Sequence, residues 1–467
     1  MKQFLVLMIF FCPALLPIAA SFGMIASAAP HAGDRILVVA PHPDDEIIGC
    51  GGIIQRAAAM DVPLQIVYLT NGDNNQWSFL MYRKHPVVVP AAVKNMGLVR
   101  CREATAAMQY LGVPASRLIF LGYPDFKTLT IWNGHWGDRQ PARGIFTGAR
   151  AVPYANAFRP GALHKGEEIV ADLKTVIREF APTKIFLSHP ADHNPDHRAA
   201  YLFTRVALWE LKRDGASFDQ PAFYPYLIHF KQWPQPKRYR PELPLLPPSF
   251  FQEAVQWRPV PLTAGEIMRK ERALKIHQSQ YRSSPQYLLS FVRRNELFGD
   301  YTPLRLRADN SVAPLPPFAE RADMPLPEYL EQDERAAFVG IQSTTISRRG
   351  GDVFFTITLS RPVGKAVGVC LYVFGYRDDR EFARMPKIRI FVGALRHMAV
   401  DQKRKLPKHV VSVRRRAKEI TVRVPLSALQ YPEGFFCSVD TYLGALPLDW
   451  LSWRVVELDG NTHDSSN

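Results

Sequence analysis

Four short apolar runs, each followed by a stretch of helical character, constrain the fold of this chain most. Strand-like segments at 35–40, 64–70, 117–121 and 184–188 alternate with helix-like ones near 46–60, 100–111, 165–180 and 196–212. Strands joined by crossover helices make parallel sheets, and such sheets need helices on both faces. The expected fold of residues 34–230 is a Rossmann-like, mostly parallel α/β sheet. In sheets of this kind, chemistry is done beyond the carboxyl ends of the strands.

Two of those strand ends carry metal-ligating chemistry. Arg35-Ile36-Leu37-Val38-Val39 runs into Ala40-Pro41-His42-Pro43-Asp44-Asp45-Glu46. About 150 residues later, Lys184-Ile185-Phe186-Leu187-Ser188 empties into His189-Pro190-Ala191-Asp192-His193-Asn194-Pro195-Asp196-His197. Zinc takes neutral imidazole and carboxylate ligands, and a catalytic site keeps one position for water. His42, Asp45 and His197 form a His₂Asp set of that kind, with Zn²⁺ the expected cofactor. Asp44 precedes a ligand and is left free to take a proton from the water. Plainer readings exist for some of these residues. Asp44 and Asp45 fall at a helix start, where carboxylates complement the macrodipole. Asn194 followed by Pro195 is a good N-cap with proline at the first helical position. Capping accounts for Asn194 but for neither His42 nor His197.

The two clusters resemble the motifs of the PIG-L/LmbE family of zinc-dependent N-deacetylases. The family's Pro-His-Pro-Asp-Asp-Glu motif matches Pro41 to Glu46 at every position. Its Asp-x-(His or Asn)-x-Asp-His motif matches Asp192, Asn194, Asp196 and His197. Lesser matches are Leu69-Thr70-Asn71-Gly72-Asp73, Arg102-Glu103, Leu121-Gly122-Tyr123-Pro124-Asp125, and His277 with Ser279 and Gln280. The resemblance covers roughly residues 34–285. It implies removal of the acetyl group from an N-acetylated amino sugar of the GlcNAc type, with Asp44 as general base. One branch of the family has His where this chain has Asn194. Asparagine can donate to an oxyanion but cannot be a protonated acid near neutral pH. The implied catalytic set is Asp44, Asn194 and His193, with His189 a second candidate for the missing histidine. His229 reads as a core histidine or as a group reaching the site from a later strand.

Around this core the 467-residue chain divides further. Residues 1–29 read as a secretory signal: Lys2 is the only charge, an apolar stretch runs from Phe4 to Ala20, and Ala26-Ser27-Ala28 offers a cleavage site. The expected localisation is secreted or periplasmic, with an N-terminal membrane anchor as the alternative if the signal is not cleaved. Residues 30–302 form the deacetylase-like domain, and 303–334 read as a proline-rich linker. Residues 335–467 read as an antiparallel β-sandwich that loosely resembles carbohydrate-binding modules. Within 126–164, Trp132 and Trp136 suggest either a flat sugar platform or packing under a loop. Thr263 and Glu266 form a capping box opening a helix to about His277. Cys370 and Cys437 are a candidate disulfide or two buried thiols.

The net charge is +15, and part of it concentrates in Lys403-Arg404-Lys405, Lys408 and Arg414-Arg415-Arg416-Lys418. In a secreted protein this suggests an anionic envelope polymer or membrane surface as a partner, against a simple solvated face. No nucleic-acid-binding motif accompanies the charge, so nucleic acid is not an expected partner. Two other functions stay open: a metal-dependent amidase on another small N-acyl compound, and a non-catalytic glycan-binding envelope protein.

Overall fold

The computed structural model describes residues 27–74, 89–216, 219–249, 255–307, 309–315 and 330–459. Most of the proposed signal lies outside them. Ser27 to Ala29 are packed onto the body: Ala28 is buried, Tyr224 donates to the Ser27 carbonyl, and Lys184 donates to that of Ala29. The α/β domain thus takes in the last residues assigned to the leader.

A seven-stranded sheet organises the first part of the chain. Its strands are β1 (Ile36–Ala40), β2 (Leu64–Thr70), β3 (Leu118–Tyr123), β4 (Lys184–Ser188), β5 (Ala222–Tyr226), β6 (Arg258–Pro261) and β7 (Asn295–Phe298). They lie in the order β3-β2-β1-β4-β5-β7-β6. The first five are parallel, and β7 runs antiparallel to β5 and β6. The helices are α1 (Asp45–Ala59), α2 (Pro90–Tyr110), α3 (Thr128–Gly134), α4 (Gly166–Phe180), α5 (Pro195–Arg213), α6 (Ala264–Ile276), α7 (Gln278–Tyr281) and α8 (Pro285–Leu289).

Side-chain alternation along the strands sorts these helices onto two faces. Ile36, Val38 and Phe186 enter a core shared with Ile47, Ile53, Met108 and Leu274 of α1, α2 and α6. Leu37, Val39 and Ile185 enter the opposite core with Leu173 and Val176 of α4 and Leu202 and Val206 of α5. From β1 the chain winds outward to β2 and β3, then returns to place β4 on the other side of β1. That reversal leaves a crevice beyond the carboxyl ends of β1 and β4. Both motifs predicted from sequence empty into it.

Beyond Pro303 the described chain is dominated by strands. In chain order they are β8 (Leu304–Leu306), β9 (Asp309–Leu315), β10 (Ile341–Arg349), β11 (Asp352–Leu359), β12 (Val367–Tyr376) and β13 (Lys387–Val392). They continue with β14 (His397–Asp401), β15 (Arg404–Lys405), β16 (Ser412–Arg416), β17 (Glu419–Pro425), β18 (Gly434–Leu443), β19 (Leu446–Trp450) and β20 (Arg454–Leu458). One sheet runs β16-β17-β11-β10-β9, and the other β15-β14-β13-β12-β18-β20-β8 with β19 on β18. Their inner faces share one apolar core, as in a β-sandwich.

Three expectations change here. The stretch 303–334 is not simply a linker: β8 and β9 lie within it and complete the two sheets, while 316–329 lies outside the described residues. Cys370 and Cys437 are unpaired. Cys437 shares the inner core with its alternate neighbours Phe435 and Val439, whereas Cys370 alternates with the inward-facing Val369 and Leu371, so the two point to opposite faces of one sheet. Trp132 and Trp136 are fully buried and form no sugar platform. Trp132 packs against Phe203 of α5 and against Phe374, Phe382, Phe436 and Trp453 of the sandwich, with ring centroids 5.1–5.9 Å apart. The tryptophans dock one domain on the other.

Candidate active site

Three consecutive carboxylates leave β1 in three directions. Glu46 folds back into the body, where its Oε2 accepts the Asp44 N–H at 2.8 Å and its Oε1 lies 3.5 Å from His277 Nε2. That bond holds Asp44 at φ 128°, a backbone region costly for a residue with a Cβ. Asp45 turns toward the histidines: its Oδ2 accepts the His42 N–H at 3.0 Å and sits 3.1 Å from His42 Nδ1. Asp44 turns into the cleft, where Arg100 Nη2 of α2 meets its Oδ1 at 3.0 Å. Arg100 also donates to the carbonyls of Pro43 and Gly72. A Cβ at Gly72 would collide with the guanidinium, and φ there is +65°, so glycine is required. Burial raises the Asp44 carboxyl to about 6, with Arg100 opposing the rise.

His197 arrives from the first turn of α5. Asn194 caps that helix by accepting the Asp196 N–H at 2.9 Å, with Pro195 following it, as the sequence predicts. His197 Nε2 lies 3.0 Å from Asp45 Oδ2, and its Nδ1 lies 3.1 Å from Asp192 Oδ2 and 3.2 Å from Ser188 Oγ. The His42 and His197 rings are 5.3 Å apart at their centroids. One ligand atom from each of His42, Asp45 and His197 lies within 4.8 Å of the others.

This donor set suits a divalent cation on grounds beyond composition. His197 Nε2 is buried and, though close to Asp45, makes no hydrogen bond. A buried ring nitrogen with an ion-pair contact but no hydrogen bond is poorly satisfied, and a cation between the ligands would satisfy it. The pocket also favours positive charge. Burial would lower His197, but Asp192 and Asp45 outweigh it and raise the imidazole to about 9.

Both imidazoles are braced from behind, as ligating histidines usually are. Asp192 Oδ2 receives the N–H groups of Ile228 and His229 at 3.0 and 2.9 Å, and its Oδ1 receives that of Asn194. His42 Nε2 lies 3.1 Å from Asp125 Oδ1 and 3.3 Å from Asp196 Oδ2. Asp196 also takes the Thr128 N–H at 3.1 Å and the Thr128 hydroxyl. A further tie explains the late motif: Ser279 of α7 gives its N–H and hydroxyl to Glu103 of α2.

A cleft of about 330 Å³ opens over this centre, lined among others by Asp44, Arg100, Phe126, Asn194, His229 and Tyr287. Its volume lies at the low end for small-molecule sites. The expected His193 is not part of that lining. Its ring packs against Phe230 and Trp450 at 4.9 and 5.6 Å, and burial lowers it to about 4. His189 is buried against Trp257 and Tyr301. His229, just past β5, faces the cleft instead. It lies 4.7 Å from the His197 ring, with its Nδ1 3.0 Å from the Tyr287 hydroxyl. Burial lowers it to about 4, so it is neutral. Of the histidines the sequence offered, the one beside Asn194 is absent from the cleft lining, and His229, 35 residues from Asn194, is part of it. Arg100 and Tyr287 carried no sequence signal at all.

Residues 37–208 match the family described as GlcNAc-PI de-N-acetylase, PIG-L. A 1D-myo-inositol 2-acetamido-2-deoxy-alpha-D-glucopyranoside deacetylase from Kribbella flavida is 29% identical over 301 residues, spanning 57% of this chain and 89% of the relative. A protein of the same name from Tsukamurella paurometabola is 28% identical over 191 residues, 40% of this chain and 59% of its own length. The solved N,N'-diacetylchitobiose deacetylase from Pyrococcus horikoshii aligns with 57% of this chain and 82% of its own, at 18% identity and a TM-score of 0.36. The segment similar to the PIG-L family contains both histidine–aspartate motifs and the strands that carry them.

Proposed function

We propose that this protein is a metal-dependent hydrolase that removes the acetyl group from an N-acetylated amino sugar of the GlcNAc type, with Zn²⁺ as the ion. The observation that carries the reading is an unligated carboxylate, Asp44, in the same cleft as the His42, Asp45 and His197 trio. The cation's part is Lewis acidity, which acidifies a water and polarises the amide carbonyl.

The remaining steps belong to the chain. Asp44, fixed by Arg100, accepts a proton from the attacking water as the new C–O bond forms. It then returns that proton to the amide nitrogen as the C–N bond breaks, releasing acetate and the free amine. Asn194 spends its side-chain oxygen on the helix cap, which leaves its amide N–H groups as donors for the cleft. The Tyr287 hydroxyl lies 3.0 Å from His229 Nδ1 and 3.2 Å from the Ile228 carbonyl and holds the imidazole at the cleft, where its Nε2–H tautomer can donate to the developing oxyanion. His229 replaces His193 in the catalytic set.

Acetate release from a panel of N-acetylated sugars and other acyl amides, with metal analysis of the same sample, tests this reading. Turnover unchanged after complete metal removal overturns it. Turnover on non-sugar amides alone moves the substrate class to another N-acyl compound. The localisation belongs to the same proposal: the apolar stretch 4–20 and the Ala26-Ser27-Ala28 site support export from the cytoplasm.

A further inference from the structure

The strongest concentration of charge lies far along the chain from the catalytic motifs. Between 403 and 418 there are eight Lys and Arg residues and no Asp or Glu, against a net charge of +15 for the whole chain. The fold gathers them along two sheet edges. β15 is an edge of one sheet of the sandwich and β16 an edge of the other, and residues 406–411 carry the chain across. Leu406 and Val411 are buried at the two ends of that crossing. Lys408 between them is exposed, as are Lys403, Arg404, Lys405, Arg414, Arg416 and Lys418. Among the described residues, these eight side chains make one ion pair, Arg404 with Asp401 at 3.7 Å.

The eighth cation links this edge to an apolar tip. Arg415 is half-buried and donates from Nε to the Gly393 carbonyl at 3.0 Å, tying β16 to the turn between β13 and β14. On that turn Leu395 is 88% exposed, beside the exposed Arg396, and Met398 is 41% exposed. Charged side chains on edge strands guard against unwanted strand pairing, which accounts for some of the cations. Edge protection does not require a bare leucine amid them. A polyanionic chain would be held by the cations alone. A cationic surface with a protruding aliphatic side chain fits a bilayer, where the charges meet anionic headgroups and the leucine enters the acyl boundary.

We propose that this edge of the sandwich, Lys403–Lys418 with Leu395 at its tip, docks the protein on an anionic lipid bilayer. The inference rests on surface charge and exposure and is independent of the reading of the active site.

The test is sedimentation of the full chain with vesicles of phosphatidylcholine, alone or mixed equally with phosphatidylglycerol. Any binding through the apolar stretch 4–20 would be common to both vesicles, so the readout is the excess binding to the anionic vesicles. That excess is expected to fall as salt rises. The variant K408Q/R414Q/R416Q/K418Q is expected to lose about 10²–10³-fold of it, at about fivefold per basic residue. L395S is expected to lose about tenfold. Both change exposed side chains, so deacetylation of a soluble substrate should match wild type. No excess binding to anionic vesicles overturns the proposal. So does an L395S variant that binds them as well as wild type, and in that case retention of both proteins on dextran sulfate would assign the surface to a polyanionic polymer.

Discussion

Arg100 Nη2 lies 3.0 Å from Asp44 Oδ1, and the same guanidinium holds the carbonyls of Pro43 and Gly72. One side chain from α2 thus fixes both the backbone before Asp44 and the carboxylate of Asp44, the proposed base. Asp44→Asn should keep the metal and lose about 10²–10⁴-fold in kcat. Metal content and single-turnover rates of the purified variant check this. A variant with full turnover would remove Asp44 from the role.

The same pair predicts a pH shift. Arg100 lowers the Asp44 pKa against the upward pull of burial. A base must be deprotonated to act, so activity rises with pH through its pKa. Arg100→Gln should therefore move the acid limb of the kcat/KM profile to higher pH. An acid limb that stays in place or moves down would show that Arg100 does not tune the base.

Asp192 braces His197 through Nδ1 and holds the N–H groups of Ile228 and His229. Asp192→Asn should weaken metal binding about 10–100-fold. Competition with a chelator of known affinity measures it directly, apart from any effect on rate.

His229 and His193 make opposite predictions. His229→Ala should cut kcat by about 10²–10³-fold with little change in KM, as expected for loss of an oxyanion donor. His193→Ala should leave kcat near wild type, because that ring faces Phe230 and Trp450. Reversal of this pattern in steady-state kinetics would restore the assignment made from sequence.

Lys387 lies at the domain junction, its ammonium 4.7 Å from the Trp136 ring centre and 4.1 Å from that of Phe382. Burial lowers it to about 7 from an ordinary 10.5. Between those values the unfolded chain holds a proton that the folded protein does not. Stability should then rise with pH across that window, by up to about 1.4 kcal/mol per pH unit, and the cost of the buried charge should be fullest below pH 7. Lys387→Met should flatten the dependence and raise stability at pH 6. Urea denaturation at several pH values checks both.

Local rules made part of this protein legible. The Asn194 cap with Pro195, the Thr263–Glu266 capping box and the alternation of β1, β2, β3 and β4 with helices depend on groups a few residues apart, and the structure reproduces each. Pattern also placed His42, Asp45 and His197 together, because a parallel sheet of this winding puts the ends of β1 and β4 side by side.

The remainder was decided by partners far apart in the chain. His193 neighbours Asn194 in sequence, yet the pairing of β5 with β4 delivers His229 to Asp192 and to the cleft. The sequence alone also left Trp132 open between a platform and a core, and only the arrival of Phe374, Phe436 and Trp453 some 240 to 320 residues later buries it. A cap or a period-two strand is set by bonds within one turn or one pleat, so the residues themselves declare it. Which distant surface covers a given ring depends on the summed burial of whole domains, and that sum exists only once the chain has folded.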